Sequence, residues 1–545
     1  MVISPYASDS VLDALIRAIE ITRGTKIVQG PINQYITTPY LFYLGLACME
    51  YTTAKVIAEA GSNKAGAIID DTLTNPRNPD RYVYCDARVG TETGQGIAYG
   101  HFLIPYKDGI KTLDKKASIC LEEIIEEASD DYDRQVSESR KYTNNVYVPN
   151  MIEVEAVNSI KEIKKVNLPI DKLRTLAKKC AQELSKGENY GTATIEVHEE
   201  VRRMANSEGM VIRDNFFGYR ITFKIEARGD KNDRLVFDYG TYLMGKDISA
   251  KKFDEVTKLA RWMTREANKR KRENPKFKEG LYPVLFAPDA FCTPLHECLV
   301  HFLSSDAILY GNSAIWGHEN FGERCTNPKI SVYSNPDIPG RWGSMESDDE
   351  GVLAKRRVLI EQGKVKGYLA DRNGAYHLSK LTGAKILPGD ARRGYPRGCD
   401  DAVCEPRISN LEIEYQGAVK TSTEMKRRFL QYLKKNRHQR GLVIPMSTRG
   451  GCYYENGSFD ALFPFAYLVD KNGKSTPVRN VSLNSTVLNF LNQIVEVGGD
   501  TEYIGHRCGI DERMVRVGIT CGSAIVRDLY LSITRPEGLR QPPLE

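Results

Sequence analysis

The sequence has no long apolar run. No stretch approaches the ~18–20 apolar residues that cross a bilayer, so no membrane partner is expected. A strong charge of either sign is also missing. The 76 Lys and Arg stand against 71 Asp and Glu, a net charge of +5 over 545 residues, and that balance predicts no nucleic-acid or membrane surface. The 12 cysteines have no dense or regular spacing, which excludes a disulfide framework and fits reduced thiols. The opening MVISPYASDSVLDALIRAIE has early acidic residues and no apolar centre, unlike a secretory signal. A cytoplasmic protein is expected. Histidine is scarce as well, with 8 in the chain.

What is present reads as an α+β protein of two domains, residues 1–280 and 281–545. In the first half, Ser10 to Thr22 carries a helical stripe of Val11, Leu12, Leu15, Ile16 and Ile19. Tyr40 to Ala60 and Arg81 to Gly90 read as strands, and the Gly61–Asp80 region between them reads as turns. Lys115 to Tyr142 predicts a helix with Ile119, Leu121, Ile124 and Ile125 facing inward. Thr192 to Val197 and Met210 to Ala227 predict strands, with turn chemistry at Asn206-Ser207-Glu208-Gly209. Asp247 to Asn274 predicts a long helix ending in Lys269-Arg270-Lys271-Arg272, a basic run expected to be a solvated face. ENPKFKEG, ending at Gly280, suits a linker. Beyond it come mostly strands and turns: a hairpin around Gln362-Gly363, another with Asn472-Gly473 as a two-residue turn, and a helix opened by the capping pair Thr421 and Glu424.

The chemistry concentrates in His296-Glu297-Cys298-Leu299-Val300-His301. Neutral imidazoles ligate Zn²⁺, and a carboxylate beside them can take a proton from water. Residues five apart on an α-helix point about 140° away from each other. For His296 and His301 to share a metal, the helix must carry an extra residue per turn between Glu297 and His301, or end near His301. A catalytic zinc usually has three protein ligands. By spacing alone the third stays open among Cys508 in Gly505-His506-Arg507-Cys508-Gly509, Cys292, Cys298, and the pair Cys399 and Cys404. His506 and Cys508, two apart on one strand, also allow a thiol–imidazole hydrolase.

Several ordered segments resemble the TldD/PmbA metallopeptidases, a family also labelled modulators of DNA gyrase. HECLVHFLSSD, from His296 to Asp306, is similar to that family's HExxxHxxxxD. Asp348-Asp349-Glu350-Gly351 is similar to its DDEG segment, followed by Arg392-Arg393, Pro406 to Asn410 and Gly450-Gly451 in the family order. Val300 stands where the family often has Gly, and Ser304-Ser305 where it often has Glu-Gly. The resemblance implies one transition metal ion, zinc, on His296, His301 and Cys508, with Glu297 as general base. It implies an α/β N-terminal domain and a curved or barrel-like C-terminal sheet. It also implies a homodimer, or a heterodimer with a paralogous subunit, acting on peptides or unfolded polypeptides. The rival readings are a non-catalytic scaffold subunit and a nucleic-acid-associated regulator; the first would be signalled by loss of Glu297, the second by a strongly basic surface.

Overall fold

The computed structural model describes residues 9–25, 40–61, 64–73, 80–91, 94–104, 113–141, 150–163, 168–228, 234–244, 249–271, 277–311, 313, 317–394, 403–510 and 513–533. In the first half the strands are β1 (Tyr40–Gly61), β2 (Lys64–Leu73), β3 (Asp80–Thr91), β4 (Gly94–Ile104), β5 (Asn158–Ile160), β6 (Tyr190–Asn206), β7 (Val211–Arg228) and β8 (Arg234–Met244). The helices are α1 (Ser10–Thr25), α2 (Leu113–Lys141), α3 (Ile170–Leu184) and α4 (Ala250–Lys269). Among the described residues the strands form one sheet in the order β4-β3-β1-β6-β7-β5, with β2 beside β1 and β8 beside β7.

Alternation along the strands decides which face the helices cover. On β1, Leu44, Leu46 and Cys48 pack under α1 and α2, and Ala54, Val56, Ala58 and Ala60 continue that face under α3 and α4. The opposite face carries Ala47 and Met49, and with them the buried Arg88 of β3 and Arg202 of β6. Those arginines meet the second half of the chain. Arg88 donates to Glu350 at 2.9 Å, and Arg202 to Asp349 at 2.7 Å and Asp214 at 2.7 Å. Arg372 reaches back in the other direction, donating to both Glu208 oxygens at 2.7 and 2.8 Å.

The second half contains β9 (Gly280–Phe286), α5 (Pro288–Leu295), α6 (Ser305–Leu309), β10 (Ile330–Ser334), β11 (Arg357–Glu361), β12 (Lys364–Val365), α7 (Arg372–Thr382), β13 (Ala391–Arg392), β14 (Glu405–Pro406) and β15 (Asn410–Tyr415). It continues with α8 (Ser422–Lys435), β16 (Arg440–Ile444), β17 (Arg449–Tyr453), β18 (Ser458–Asp470), β19 (Ser475–Thr486), α9 (Val487–Gln493), β20 (Ile494–Val497), β21 (Glu502–Ile510), β22 (Arg513–Cys521) and β23 (Ala524–Ile533). One sheet runs β12-β11-β10-β15-β22-β21. The other closes on itself: β16 pairs with β9, then β23, β19 and β18, and β18 pairs back with β16. The fold is α+β, with a curved, ring-closed sheet in the C-terminal half. Phe291, Leu295, Leu299, Phe302 and Leu303 are buried between these sheets, against Val284, Phe463, Leu411 and Val517. No helix among the described residues is long and apolar enough to cross a membrane.

Four local expectations are corrected. Lys64–Leu73 is a strand paired antiparallel to β1, with Ala54 opposite Leu73; cross-strand pairing outweighs the turn-rich composition around it. Ile119 is 47% exposed, because the helical phase of α2 turns Ala117, Cys120, Leu121 and Ile124 inward instead. Arg270 is not on a solvated face: it is 1% exposed and donates to the carbonyls of Val478 at 2.7 Å and Ala466 at 2.8 Å. Arg272 lies outside the described residues. The hairpin at Asn472-Gly473 has a longer loop than two residues: Gly473 N–H donates to the Asp470 carbonyl at 2.9 Å and Asp470 N–H to the Lys474 carbonyl at 3.0 Å.

Candidate metal centre

The segment bearing both histidines starts as an α-helix at Pro288. The fixed φ of proline suits the first turn, where its missing N–H has no helical partner. At His296 the backbone passes into a π turn spanning His296–Val300. The extra residue rotates His301 back towards His296. Their ring centroids are 5.1 Å apart, with the planes at 82°.

The antiparallel β21–β22 pair brings Cys508 to the same point, opposite Val515 in the register. Cys508 Sγ lies 3.5 Å from His301 Nε2. The donor atoms of His296, His301 and Cys508 all fall within 4.8 Å of one another, and all three residues are buried. Glu297 stands beside them, its carboxylate 3.8 Å from His301 Nε2. Strand β17 crosses above, and Gly450 makes that approach possible. A Cβ there would stand 2.7 Å from both Glu297 Cγ and Thr293 Cγ2.

The electrostatics suit a cation. Burial lowers the pKa of His296 well below the usual imidazole range, and burial together with the Arg407 charge lowers that of His301 to about 3. Both rings are therefore neutral, the ligating form. Among the described residues His296 Nδ1 is buried with no hydrogen-bond partner, an orphaned acceptor or donor that a ligand role would explain. His301 Nδ1 lies 3.2 Å from the Tyr454 hydroxyl, which orients the ring and leaves Nε2 facing Cys508. Burial pushes the Cys508 thiol up to about 12 against the opposing pull of Arg407. Burial, then the Asp460 charge, pushes Glu297 up to about 8. A positive charge at the centre would reverse both of these shifts. The residues present fit a bound transition metal.

Residues 279–532 match the PmbA/TldA metallopeptidase C-terminal domain. The C-terminal half of the chain carries the domain of the TldD/PmbA family. A metalloprotease of Methanocaldococcus jannaschii is 28% identical over 242 residues, 44% of this chain and 48% of that protein. A zinc metalloprotease TldD homologue of Saccharolobus solfataricus is 25% identical over 248 residues, 46% of this chain and 50% of that protein. The chain spans about half the length of the curated relatives it matches. Of solved structures, TldE from Thermococcus kodakarensis superposes with a TM-score of 0.60 over 95% of this chain and 100% of that one, at 15% identity. That likeness is one of fold.

Within this TldD/PmbA-type domain the other candidate ligands go elsewhere. Cys298 Sγ points to the Leu295 carbonyl at 3.6 Å. Cys292 Sγ lies 3.0 Å from His506 Nε2, so the imidazole of His506 meets Cys292, not Cys508. Cys404 Sγ accepts from Arg393 Nε at 3.1 Å, and Cys399 lies outside the described residues. The DDEG segment serves docking between the halves: Asp348 caps its own turn, accepting from Glu350 N at 3.0 Å and Val352 N at 2.8 Å, while Asp349 and Glu350 take the arginines. Sequence reasoning missed Tyr454, Arg407, Asp460 and Cys452. They arrive from distant strands and loops; Arg407 lies in the Pro406 to Asn410 segment, which the sequence marks without a role, and no local pattern marks the other three.

Proposed function

We propose that this chain is a metal-dependent peptidase, with zinc held by His296, His301 and Cys508 and with Glu297 as general base. The observation that carries the reading is the π turn, which lets histidines five apart converge on one thiol. When bound, the ion supplies Lewis acidity, polarising a scissile carbonyl and lowering the pKa of water towards ~7. The chain's own groups do the rest. Glu297 takes a proton at its carboxylate and returns it to the leaving amine. Tyr454 holds His301 in one orientation. Arg407, buried and paired with Glu405 at 2.8 Å, places a positive charge near Cys508 and favours its thiolate.

A cavity of about 510 Å³ adjoins the centre and is lined by Tyr454, Asp306, Glu405, Tyr310, Tyr99 and Asp131. It suits an extended peptide or a segment of unfolded polypeptide. Tyr99 and Asp131 come from the first half of the chain, so both halves would contact the substrate. Pairing with a second copy or a paralogous subunit is part of the proposal. So is a cytoplasmic location: every cysteine among the described residues is unpaired, as a reducing compartment maintains.

The test is metal content. Plasma mass spectrometry on protein purified without added metal should find about one metal per chain, lost or much weakened in Cys508→Ala. Glu297→Gln should retain the metal and lose peptide hydrolysis. A wild-type protein that takes up no zinc when zinc is supplied would sink the reading.

A further inference from the structure

His301 belongs to two sets of convergent donors. One is the set already described. In the other, donor atoms of Glu297, His301 and Cys452 lie within 4.8 Å of one another. Cys452 sits on β17, opposite Phe459 of β18, on the strand that Gly450 allows to press against Glu297. Its side chain is half-buried, whereas the other thiol at the centre, Cys508, is 2% exposed. Packing as a small apolar residue would account for its burial, and it does touch the core. Packing does not account for its immediate neighbours, which are a carboxylate and an imidazole.

A tetrahedral zinc with bonds of 2.0–2.3 Å needs donors roughly 3.3–3.8 Å apart. Cys508 and His301 already stand 3.5 Å apart. Cys452 joins His301 and Glu297 but not the set with His296 and Cys508, so a turn about its χ1 is needed to bring Sγ to the same ion. A catalytic zinc keeps one position open, and a fourth protein ligand closes it. Cys452 shares its set with Glu297, so it occupies the side on which the general base would work.

Resting on the metal-centre reading above, we propose that Cys452 is an exchangeable fourth ligand that closes the centre in the resting protein and gives way when substrate arrives. On metal binding its thiol proton passes to solvent. On opening, the sulfur is reprotonated and the fourth position is free. The resting centre then holds two imidazoles and two thiolates.

X-ray absorption at the zinc edge counts the sulfurs directly, without any activity assay. Zinc-loaded wild type should show two sulfurs in the shell, and both Cys452→Ser and Cys452→Ala should show one. The same variants should surrender zinc to a chelator at least tenfold faster. Cys508→Ser should also fall from two sulfurs to one. One sulfur in wild type and in Cys452→Ser alike would overturn the exchangeable ligand while leaving the three-residue centre standing. Failure of wild type to bind zinc would overturn both.

Discussion

At the residue scale, His301 depends on one hydroxyl. Tyr454 sits 3.2 Å from His301 Nδ1, and such outer partners typically change metal affinity by about 10–100-fold. Tyr454→Phe should weaken zinc retention by that factor in a chelator competition while the fold persists. Away from the centre, His198 is a half-buried imidazole. Burial and then the Arg507 charge hold its pKa down at about 3, against 6.5 when free, and Arg507 Nη2 lies 2.7 Å from its Nε2. Below pH 6.5 the unfolded chain binds a proton here that the folded chain does not, so stability falls as pH falls. Between pH 7.5 and 5.5 this one group should remove about 1.4 kcal/mol. Urea unfolding of His198→Gln beside wild type should show a pH loss smaller by that amount.

At the scale of elements, the end of α4 shows how a basic run divides. Arg270 pairs with Glu266 at 2.6 Å and stacks 4.7 Å from the Tyr467 ring. With its two carbonyl contacts on β18 and β19, it pins the helix to the closed sheet. Lys271 beside it is only half-buried. Removing one partner of a buried ion pair costs about 3–5 kcal/mol, whereas an ordinary surface change stays within about 0.5 kcal/mol. Arg270→Met and Lys271→Met should separate by that margin in chemical denaturation. The π turn is the other element of consequence. A regular α-helix through HECLVH would send the histidines to different sides; the inserted residue gathers them at the cost of one ideal turn.

For the whole molecule, the helix-free face of the first sheet is the docking surface. We propose residues 1–280 and 281–545 as two domains held by Arg88–Glu350, Arg202–Asp349 and Arg372–Glu208. The cores are not separate, since Met446 and Phe465 pack among the residues under α3 and α4. Arg202 is bonded to Asp214, Asp349 and the Ser347 carbonyl at once. Arg202→Met should therefore lower unfolding free energy by about 3–5 kcal/mol. Metal content should not change, because the centre's ligands all lie in the second half.

Much of this protein was legible in the sequence because local patterns carry it. Strand-forming runs in β1, β6 and β7 and the helical stripe of α1 are read from neighbouring residues, and the fold class follows from their order; in α2 the same reading puts Ile119 inward, where the helix leaves it exposed. The pairing of two histidines with a glutamate, five residues apart, already required a distorted helix. What the sequence left open depends on contacts between distant segments. Spacing could not choose Cys508 over Cys292 or Cys298; the register of β21 against β22 decides which sulfur reaches His301. Composition made Lys64–Leu73 a loop and Arg270 a solvated charge; strand pairing and two buried carbonyls decide otherwise. Tyr454 and Cys452 join the centre through the path of β17, which is allowed by a missing Cβ at Gly450. Periodicity is a property of neighbouring residues and survives in one dimension, whereas a ligand set is a property of a point in space that only the packed chain defines.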